Sequence, residues 1–457
     1  MMTESQRAAL AEYAAVKGQC PARERLAALF DDGVYTETGS NLRAGENLAG
    51  VVTAYGYIGG TPAYAFSQDS TVMKGAVSLA HSAKICKMFE LAARNGVPVV
   101  GIYDSCGAFV EDGADALNAY SDILLSMGSL SGVVPMVSVI SGVCAGTMAM
   151  IASSADFSVI TEGAELYLDA SGNNASAESA AKSGAVSAYA KSDAEAMDTV
   201  RSYLSLMPQN NLSPLPEFEF DAPVSAAFDN AENAAESIAD AGSILEVYGE
   251  YGTASYTALC TVSGVTAGIA ATNKTKDKLT SADCSKIARF VRLCDAYSIP
   301  VITVADTEGF DLHGADMVRA GAALAGAYAE ASCAKIALVS GKACGMAYIA
   351  FAGRNVAADA VYALPEAVIA PMDPVSAAEF LYHDKLKGAD DLAAARAQIA
   401  KEYAENEGSA FAAAAKGAAD EVVTAENVRA AVASVLDVTA GKRLNKRLPK
   451  KHNILPL

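Results

Sequence analysis

The sequence predicts an α/β protein built from two similar halves in tandem. When the chain is compared with itself, residues 83–107 align with residues 285–309, and residues 142–149 align with residues 341–348. Each half alternates short apolar runs with stretches whose apolar residues recur at helical spacing, a pattern typical of βαβ units. We therefore expect one kind of domain to occur twice.

Length and composition limit the classes of protein to consider. The chain has 457 residues, of which 52% are hydrophobic and 19% charged, so two domains with large buried cores are expected. Its 53 acidic and 34 basic residues give a net charge of −19. Because nucleic-acid affinity depends on Lys and Arg neutralising phosphates, we expect no nucleic-acid partner.

The cysteines and the apolar segments bear on the location of the protein. Nine cysteines are scattered along the chain without a CxxC pair, which argues against a disulfide framework or zinc site and favours a cytoplasmic protein without a metal. The first twenty residues have no apolar core of the signal-peptide type. Residues 123–155 carry no charge, but Pro135 and four glycines interrupt them, so a buried strand followed by a buried helix is favoured over a membrane span.

The repeat predicts the main elements in order. In the first copy, a helix ends at Asn95-Gly96 and a buried strand follows at residues 97–103. A second helix at about 112–128 and a second strand at 134–140 come next. The corresponding second helix and strand of the other copy are expected at 314–331 and 334–340.

A proline-rich segment separates the halves. Four of the fourteen prolines lie within residues 206–223, which predicts a linker between domains at 1–223 and 224–457. Residues 390–440 are rich in Ala and are expected to be helical. The basic tail at 441–457 is interpreted as a solvated strap on an acidic neighbour rather than as an RNA or lipid site.

Two pairs of turns are candidate ligand sites. A strand, a turn of small residues and a helix occur in VSVISGVCAGTMAMIASSA and again in ALVSGKACGMAYIAFAG. Small residues let a ligand approach backbone N–H groups, and such a turn can bind an oxyanion; tight packing of helix on strand is the alternative. The second pair of turns is DSCGAFVEDG and DTEGFDLHG, and each directly follows the carboxyl end of a predicted buried strand. Ligands of α/β folds usually bind at these ends of the strands.

Side chains of the usual catalytic kinds are scarce. The chain has four histidines and no GxSxG, HExxH or Walker motif. Cys144 and Cys344 have no nearby histidine partner in the sequence and are interpreted as buried fillers rather than nucleophiles. The sequence therefore favours a site that works through backbone dipoles.

Seven blocks spread along nearly the whole chain carry a resemblance to a known family: ARERLAALFDDGVYTE, VVTAYGYIGGTPAYAFSQDSTV, DSCGA, GVCAG, KIARFVRLCDAYSIPVITVADTEGF, GKACGMAY and KKHNILPL. With these blocks the chain resembles the carboxyltransferase component of biotin-dependent acyl-CoA carboxylases and the related α subunit of sodium-pumping acyl-CoA decarboxylases. The resemblance implies two tandem crotonase-like domains of the ClpP/crotonase type, each a β-β-α superhelix.

The same resemblance implies partners and ligands. Acyl-CoA would bind the amino-terminal half of one subunit, facing the carboxyl-terminal half of another, which would bind carboxybiotin attached to a separate biotin carboxyl carrier protein. A homo-oligomer is implied, a dimer or a trimer of dimers. The further partner would be a biotin carboxylase, or a membrane decarboxylase β subunit that would bring the cytoplasmic protein to the membrane.

Site residues are carried over by motif. The backbone N–H groups of Gly146 and Thr147 would hold the thioester oxygen, and those of Met346 and Ala347 would hold the biotin carbonyl. The residues implied to contact the acyl-CoA are Gly107, Ala108, Phe109, Cys144, Ala145 and Ile349, and those implied to contact biotin are Gly309, Phe310 and Gly345.

The chain departs from the family pattern at several of these positions. Thr147 and Met346 replace the second glycine of each turn, Phe109 replaces an arginine, and Ser187 replaces a histidine in a shortened loop. Three functions are therefore considered: carboxylation of propionyl-CoA or acetyl-CoA, the reverse transfer in a sodium-pumping (methyl)malonyl-CoA decarboxylase, and a non-catalytic structural paralogue in such a complex.

Overall fold

The computed structural model divides the chain into two compact units, Met1–Pro214 and Leu215–Leu457, called unit 1 and unit 2. The division lies within the proline-rich segment 206–223. The residues that the structure describes are 2–169, 175–223, 225–275, 277–311, 316–354 and 356–442.

Unit 1 contains strands and helices in alternation. Its strands are β1 (Tyr35–Thr38), β2 (Arg43–Ala44), β3 (Asn47–Leu48), β4 (Val51–Ile58), β5 (Thr61–Gln68), β6 (Val99–Ser105), β7 (Met136–Ala145), β8 (Phe157–Thr161), β9 (Glu165–Tyr167) and β10 (Ala188–Ala190). Its helices are α1 (Glu4–Ala15), α2 (Pro21–Leu29), α3 (Leu79–Asn95), α4 (Asp115–Leu130), α5 (Thr147–Ser153), α6 (Ala177–Lys182) and α7 (Asp193–Leu206).

The main sheet of unit 1 has the strand order β1-β4-β5-β6-β7-β8-β10. The pairs β1/β4 and β4/β5 are antiparallel, whereas β5/β6, β6/β7, β7/β8 and β8/β10 are parallel. Helix α3 connects β5 to β6, and α4 connects β6 to β7. The predicted βαβ units are confirmed for this half.

Strand β7 changes partners near its carboxyl end. Its register with β6 runs from Tyr103 opposite Ile140 to Ser105 opposite Cys144, so β7 has two extra residues between these pairs. Such an irregularity bends a strand. Beyond it, β7 pairs with β9, with Ala145 opposite Tyr167.

Unit 2 repeats this plan. Its strands are β11 (Leu245–Glu246), β12 (Tyr256–Val262), β13 (Val265–Ala271), β14 (Val301–Ala305), β15 (Lys335–Val339), β16 (Lys342–Cys344), β17 (Ala360–Ala363), β18 (Val368–Ala370) and β19 (Glu421–Val422). Its helices are α8 (Ala231–Ile238), α9 (Ser281–Ala296), α10 (Met317–Glu330), α11 (Met346–Phe351), α12 (Pro374–Leu381), α13 (His383–Leu386), α14 (Leu392–Glu405), α15 (Ala410–Ala415) and α16 (Ala425–Thr439).

The strand order in unit 2 is β11-β12-β13-β14-β15-β17-β19, antiparallel through β13 and parallel afterwards. Here the bent strand of unit 1 is replaced by two strands: β15 belongs to the main sheet, and β16 pairs with β18 in a small parallel sheet. The β16/β18 pair therefore corresponds to the end of β7 and its partner β9.

Local signals explain the helices that the repeat predicts. Helix α3 begins after Ser78, whose side chain accepts from the N–H of His81, and ends at Gly96, where φ is 61°. Its buried face includes Ile85 and Phe89, so the predicted helical spacing is confirmed. Helix α9 begins with a capping box between Thr280 and Asp283.

The charge-free segment 123–155 forms the end of α4, then β7 and α5, so the favoured strand-and-helix interpretation is confirmed. Across the described ranges, no helix is long and apolar enough to cross a membrane. The Ala-rich segment 390–440 is largely helical, as predicted, with α14, α15 and α16. The basic tail from residue 443 onward and His313 lie outside the described residues.

Candidate active site

Each unit has a sharp turn in which a strand runs directly into a helix. In unit 1, Gly146 joins β7 to α5 with φ 65° and ψ −140°. In unit 2, Gly345 joins β16 to α11 with φ 55° and ψ −121°. Residues with a Cβ rarely adopt this conformation, so glycine is required at both positions.

The glycine N–H groups of these turns already have acceptors. The N–H of Gly146 donates to the carbonyl oxygen of Tyr167 at 2.9 Å, and the N–H of Gly345 donates to that of Ala370, also at 2.9 Å. The first bond continues the β7/β9 pairing and the second continues the β16/β18 pairing. The N–H of Gly146, which the motif implies as a donor to the ligand, is therefore already bonded to a backbone carbonyl.

The next two N–H groups in each turn are free of such bonds. Ala149 N–H donates back to Gly146 at 3.0 Å, but within the described residues Thr147 and Met148 have no backbone or side-chain acceptor for their N–H groups. In unit 2 the same description holds for Met346 and Ala347. The N–H groups without acceptors thus occupy matching positions in the two units. In unit 1 they belong to Thr147 and Met148, whereas the motif implied Gly146 and Thr147.

The outward side chains of α5 and α11 also match. Thr147 is exposed and Met150 is 46% exposed, one turn further along α5. Met346 and Ile349 are 47% and 56% exposed at the corresponding places on α11. Ile349 therefore presents an apolar side chain on the same helix face as Met346, one turn from the free N–H groups.

The methionine in the second turn packs sideways onto α10. A Cβ placed on Gly321 would lie 3.7 Å from Cε and 3.9 Å from Sδ of Met346. The missing side chain of Gly321 thus leaves room for the thioether, which rests on the helix.

The second pair of turns lies next to the first within each unit. Gly107 has φ 118° and Gly309 has φ 101°, and no atom of the described residues would lie within 4 Å of a Cβ on either. Their N–H groups donate to Ser105 Oγ at 3.2 Å and to Thr307 Oγ1 at 3.1 Å. Because Ser105 pairs with Cys144, the Gly107 turn and the Gly146 turn leave neighbouring strands together.

Other residues carried over by motif have varied environments. Ala108 is exposed and Phe109 is half-buried. Cys144 and Ala145 are buried, so their side chains are removed from solvent. Phe310 is only 6% exposed and its ring stacks on Phe351, with centroids 6.1 Å apart; the ring therefore belongs to the core of unit 2.

The cysteine side chains near the turns are poor nucleophiles. Burial raises the pKa of the Cys144 thiol far above its ordinary value, and the Asp104 carboxylate raises it further. Burial also raises the pKa of Cys344. Both thiols therefore remain protonated near neutral pH, in line with their interpretation as fillers.

Ser187, which stands where the family has a histidine, has a structural role. It is 2% exposed, and its hydroxyl accepts from the N–H of Ser158 at 3.1 Å. The Ser158 hydroxyl accepts in return from the N–H of Ser187 at 3.1 Å. This reciprocal pair binds β8 to the segment before β10.

Sequence reasoning missed the charged residues behind the turns. Arg25 donates through Nη1 to Asp104 Oδ2 at 2.9 Å and through Nη2 to the carbonyl of Ser141 at 2.8 Å. In unit 2, the N–H of Lys342 donates to Asp306 Oδ1 at 2.8 Å. The only signal for the aspartates was their alignment in the repeat; Arg25 lies 79 residues from Asp104 and leaves no local pattern.

Comparison with known proteins identifies the family. A model of the carboxyl transferase domain matches residues 14–455. The methylmalonyl-CoA decarboxylase subunit alpha of Propionigenium modestum is 33% identical, over 96% of this chain and 94% of that protein. The methylmalonyl-CoA carboxyltransferase 12S subunit of Propionibacterium freudenreichii subsp. shermanii is also 33% identical, over 96% of this chain and 92% of that protein.

A solved structure gives the same answer. The crystal structure of transcarboxylase 12S with methylmalonyl-coenzyme A and methylmalonic acid bound matches with a TM-score of 0.90 and 31% identity, over 100% of this chain and 99% of that chain. This match confirms the expected fold of two crotonase-like domains. The resemblance drawn from sequence blocks is confirmed as well: the chain belongs to the carboxyl transferase family.

Proposed function

We propose that this carboxyl transferase moves CO2 between carboxybiotin, held on a separate carrier protein, and the α-carbon of a short acyl-CoA such as propionyl-CoA or acetyl-CoA. The observation that carries the proposal is the occurrence of two free backbone N–H groups at the same point of both units. Transfer between a thioester and a ureido group requires stabilisation of two oxyanions, and a duplicated turn supplies two sets of donors.

The turn of unit 1 would hold the thioester carbonyl. The donors would be Thr147 and Met148, because Gly146 N–H is bonded to Tyr167. Charge accumulates on the thioester oxygen when the α-proton leaves, so fixed donors stabilise the enolate more than the bound substrate. The exposed side chain of Thr147 and the Gly107 turn on the neighbouring strand would line the same approach.

The turn of unit 2 would hold the ureido carbonyl of biotin through Met346 and Ala347. The residues present fit such a group: within the part of the chain that the structure describes, two adjacent N–H groups have no acceptor, and no atom lies within 4 Å of a Cβ placed on Gly309. When bound, carboxybiotin supplies the CO2 and the base. The protein has to orient the ring and stabilise charge on its oxygen, which requires no protein side-chain base.

The partners follow from the same chemistry. A biotin carboxyl carrier protein must deliver the ring, and a biotin carboxylase or a membrane decarboxylase β subunit must load or unload it. A homo-oligomer, either a dimer or a trimer of dimers, is part of the proposal, and the similar transcarboxylase 12S forms a hexamer assembly. We place the chain in the cytoplasm, next to the membrane if the partner is the β subunit.

The direction of transfer depends on these partners. A decarboxylase subunit and a carboxyltransferase subunit are each 33% identical to this chain, so the reverse transfer in a decarboxylase is the second candidate. A non-catalytic paralogue would be favoured by turns closed off from solvent. Met346 is 47% exposed and Thr147 is exposed, whereas the other two proposed donors, Met148 and Ala347, are 0% and 2% exposed.

The direct experiment is the reverse half-reaction. Purified full-length protein is incubated with methylmalonyl-CoA or malonyl-CoA and free biotin, and loss of the acyl carboxylate is followed. We expect turnover that depends on biotin, with the preferred thioester identifying the acyl group. Failure of folded, oligomeric protein to turn over either thioester, even with an added biotin carrier protein, would contradict the proposal.

A further inference from the structure

Each unit holds an aspartate carboxylate directly against the segment that leads to its turn. A Cβ placed on Gly142 would lie 2.3 Å from Oδ1 of Asp104, and a Cβ placed on Gly341 would lie 2.3 Å from Oδ1 of Asp306. No side chain tolerates such an approach, so each glycine lets a carboxylate touch the main chain. The two contacts occupy matching positions in the repeat.

In unit 1, the guanidinium group of Arg25 binds both the Asp104 carboxylate and a main-chain carbonyl. Arg25 binds Asp104 Oδ2 through Nη1 at 2.9 Å and the carbonyl oxygen of Ser141 through Nη2 at 2.8 Å. Ser70 adds a hydroxyl donor to the same carboxylate oxygen at 2.8 Å. The side chains of Arg25 and Asp104 are each 13% exposed, so these charge-assisted bonds are shielded from water.

In unit 2, the carboxylate binds the main chain itself. Asp306 Oδ1 accepts from the N–H of Lys342 at 2.8 Å. The Lys342 ammonium then pairs with Glu308 at 2.7 Å and with Asp373. Lys342 begins β16, three residues before Gly345, so these carboxylates hold the strand that enters the turn.

The backbone pairing of these segments differs between the units. In unit 1, the contact falls on the extra residues of β7, between Ile140 and Cys144, where the ladder with β6 is interrupted. In unit 2, it falls between β15 and β16, where the N–H of Ser340 donates to a carbonyl of β14 at 3.1 Å and the carbonyl of Gly341 accepts from an N–H of β18 at 2.8 Å. The side-chain bonds therefore stand in for missing ladder bonds in unit 1 and add to backbone bonds in unit 2.

We infer that Asp104 and Asp306 are positioning residues for carboxyl transfer, each fixing the course of the chain into the turn of its own unit and hence the direction of the free N–H groups. Neither carboxylate has to touch a ligand in this role. The kinetic part of the inference rests on the proposed function, and the structural part does not.

Two isosteric variants, Asp104→Asn and Asp306→Asn, test the inference in the full-length protein. Hydrogen exchange measured by mass spectrometry reports on the turns, and biotin-dependent decarboxylation of methylmalonyl-CoA reports on function. We expect Asp104→Asn to speed amide exchange about tenfold in residues 143–149 and not in residues 343–349, and Asp306→Asn to do the reverse. Each should lower kcat by about tenfold or more with KM for methylmalonyl-CoA changed less than about threefold.

A matched control distinguishes positioning from general stability. Arg23 and Glu37 form another shielded ion pair in unit 1, with Nε to Oε1 at 2.6 Å and side chains 15% and 8% exposed. Glu37→Gln should lower the melting temperature while leaving kcat and exchange in residues 143–149 unchanged. Should Asp104→Asn fail to fold, Ser70→Ala, which removes one donor to the carboxylate, should give a smaller effect of the same kind.

The outcomes separate the two claims. Unchanged exchange and kcat in both aspartate variants would overturn the inference, as would an equal loss of kcat in Glu37→Gln. If exchange changes locally as expected but wild-type protein shows no turnover, the positioning role stands and the proposed function fails.

Discussion

The main-chain N–H of Gly146 donates to the carbonyl oxygen of Tyr167 over 2.9 Å. This bond ties the turn to β9, and its counterpart between Gly345 and Ala370 ties the second turn to β18. Each glycine N–H is used to hold the turn, whereas the N–H groups of the following two residues have no acceptor among the described residues and are the donors that we propose for a ligand. The proposed function depends on this difference between the glycine N–H groups, which bind backbone carbonyls, and the next two N–H groups, which would bind the ligand.

Adding a methyl group at Gly142 should damage the turn of unit 1. Its Cβ would lie 2.3 Å from Asp104 Oδ1 and 2.4 Å from Cγ, so Gly142→Ala must displace either the strand or the carboxylate. We predict a loss of stability of about 1–3 kcal/mol, the usual cost of overpacking, together with reduced turnover. Urea unfolding and the biotin-dependent assay provide the two measurements.

The control for that prediction is Gly128→Ala. Gly128 lies within α4, and a Cβ there would have no atom within 4 Å, so the same substitution should be neutral or should stabilise by about 0.5–1 kcal/mol. Equal losses of stability in the two variants would show that the close approach of Asp104 is not the cause.

Gly321→Ala should stabilise unit 2 without loss of activity. Gly321 lies within α10, and the added Cβ would meet Met346 at 3.7 Å, an ordinary van der Waals contact. Replacing a helical glycine by alanine gains roughly 0.5–1 kcal/mol. A larger residue, as in Gly321→Leu, should displace the Met346 side chain and lower turnover; unchanged turnover in Gly321→Leu would contradict the assigned resting place of Met346.

His81 should make stability depend on pH below neutrality. The ring is fully buried, with Nε2 3.2 Å from Nε2 of Gln68. Burial, and then the charge of Lys84, lower its pKa to about 3. In the unfolded chain His81 has a pKa near 6.5, so it binds a proton below that pH, whereas His81 of the folded protein stays neutral. The free energy of unfolding therefore decreases as the pH falls from about 6.5 towards 3.

The neutral variant His81→Gln isolates this effect. Between pH 7.5 and pH 5.5, the wild-type protein should lose about 1.4 kcal/mol more stability than the variant, the value of one proton over one pH unit. Urea unfolding at the two pH values measures the difference. Parallel losses in both proteins would mean that His81 takes up its proton in the folded state.

Much of the fold could be predicted because the two halves of the sequence repeat the same pattern of strands and helices. The repeat placed α4 and α10 within three residues of their observed starts, and Asn95-Gly96 marked the end of α3. The bend of β7 was not predicted: the predicted strand ended at residue 140, whereas β7 continues through Ser141 and Gly142 to Ala145. In unit 2 the matching run is divided between β15 and β16, which depends on pairing with β18 rather than on local sequence.

The candidate site was only partly predictable. Small residues in the turns indicated exposed N–H groups, but which N–H remains free depends on the long-range pairing of Gly146 with Tyr167. The stacking of the Phe310 ring on Phe351 had no signal in the sequence, and the contact of Phe310 with biotin stays a prediction. The contact of Arg25 with Asp104 arises only from the folded chain.

The most direct test of the central claim removes one free N–H and compares the result with a variant that changes the same side chain but keeps the N–H. Thr147 is the first residue of α5, a position that tolerates proline because its N–H has no helical acceptor. Thr147→Pro deletes the donor, whereas Thr147→Ala alters the side chain and keeps the donor. In unit 2, Met346→Pro and Met346→Ala form the same pair at the start of α11.

The measurement is kcat for biotin-dependent decarboxylation of methylmalonyl-CoA by the four folded variants and the wild-type protein. The account predicts a loss of about 100-fold or more in each proline variant, the usual effect of removing one oxyanion donor, and a change of only a few-fold in each alanine variant. Proline variants that melt like the wild type and keep its turnover would contradict the claim that these backbone N–H groups perform the chemistry.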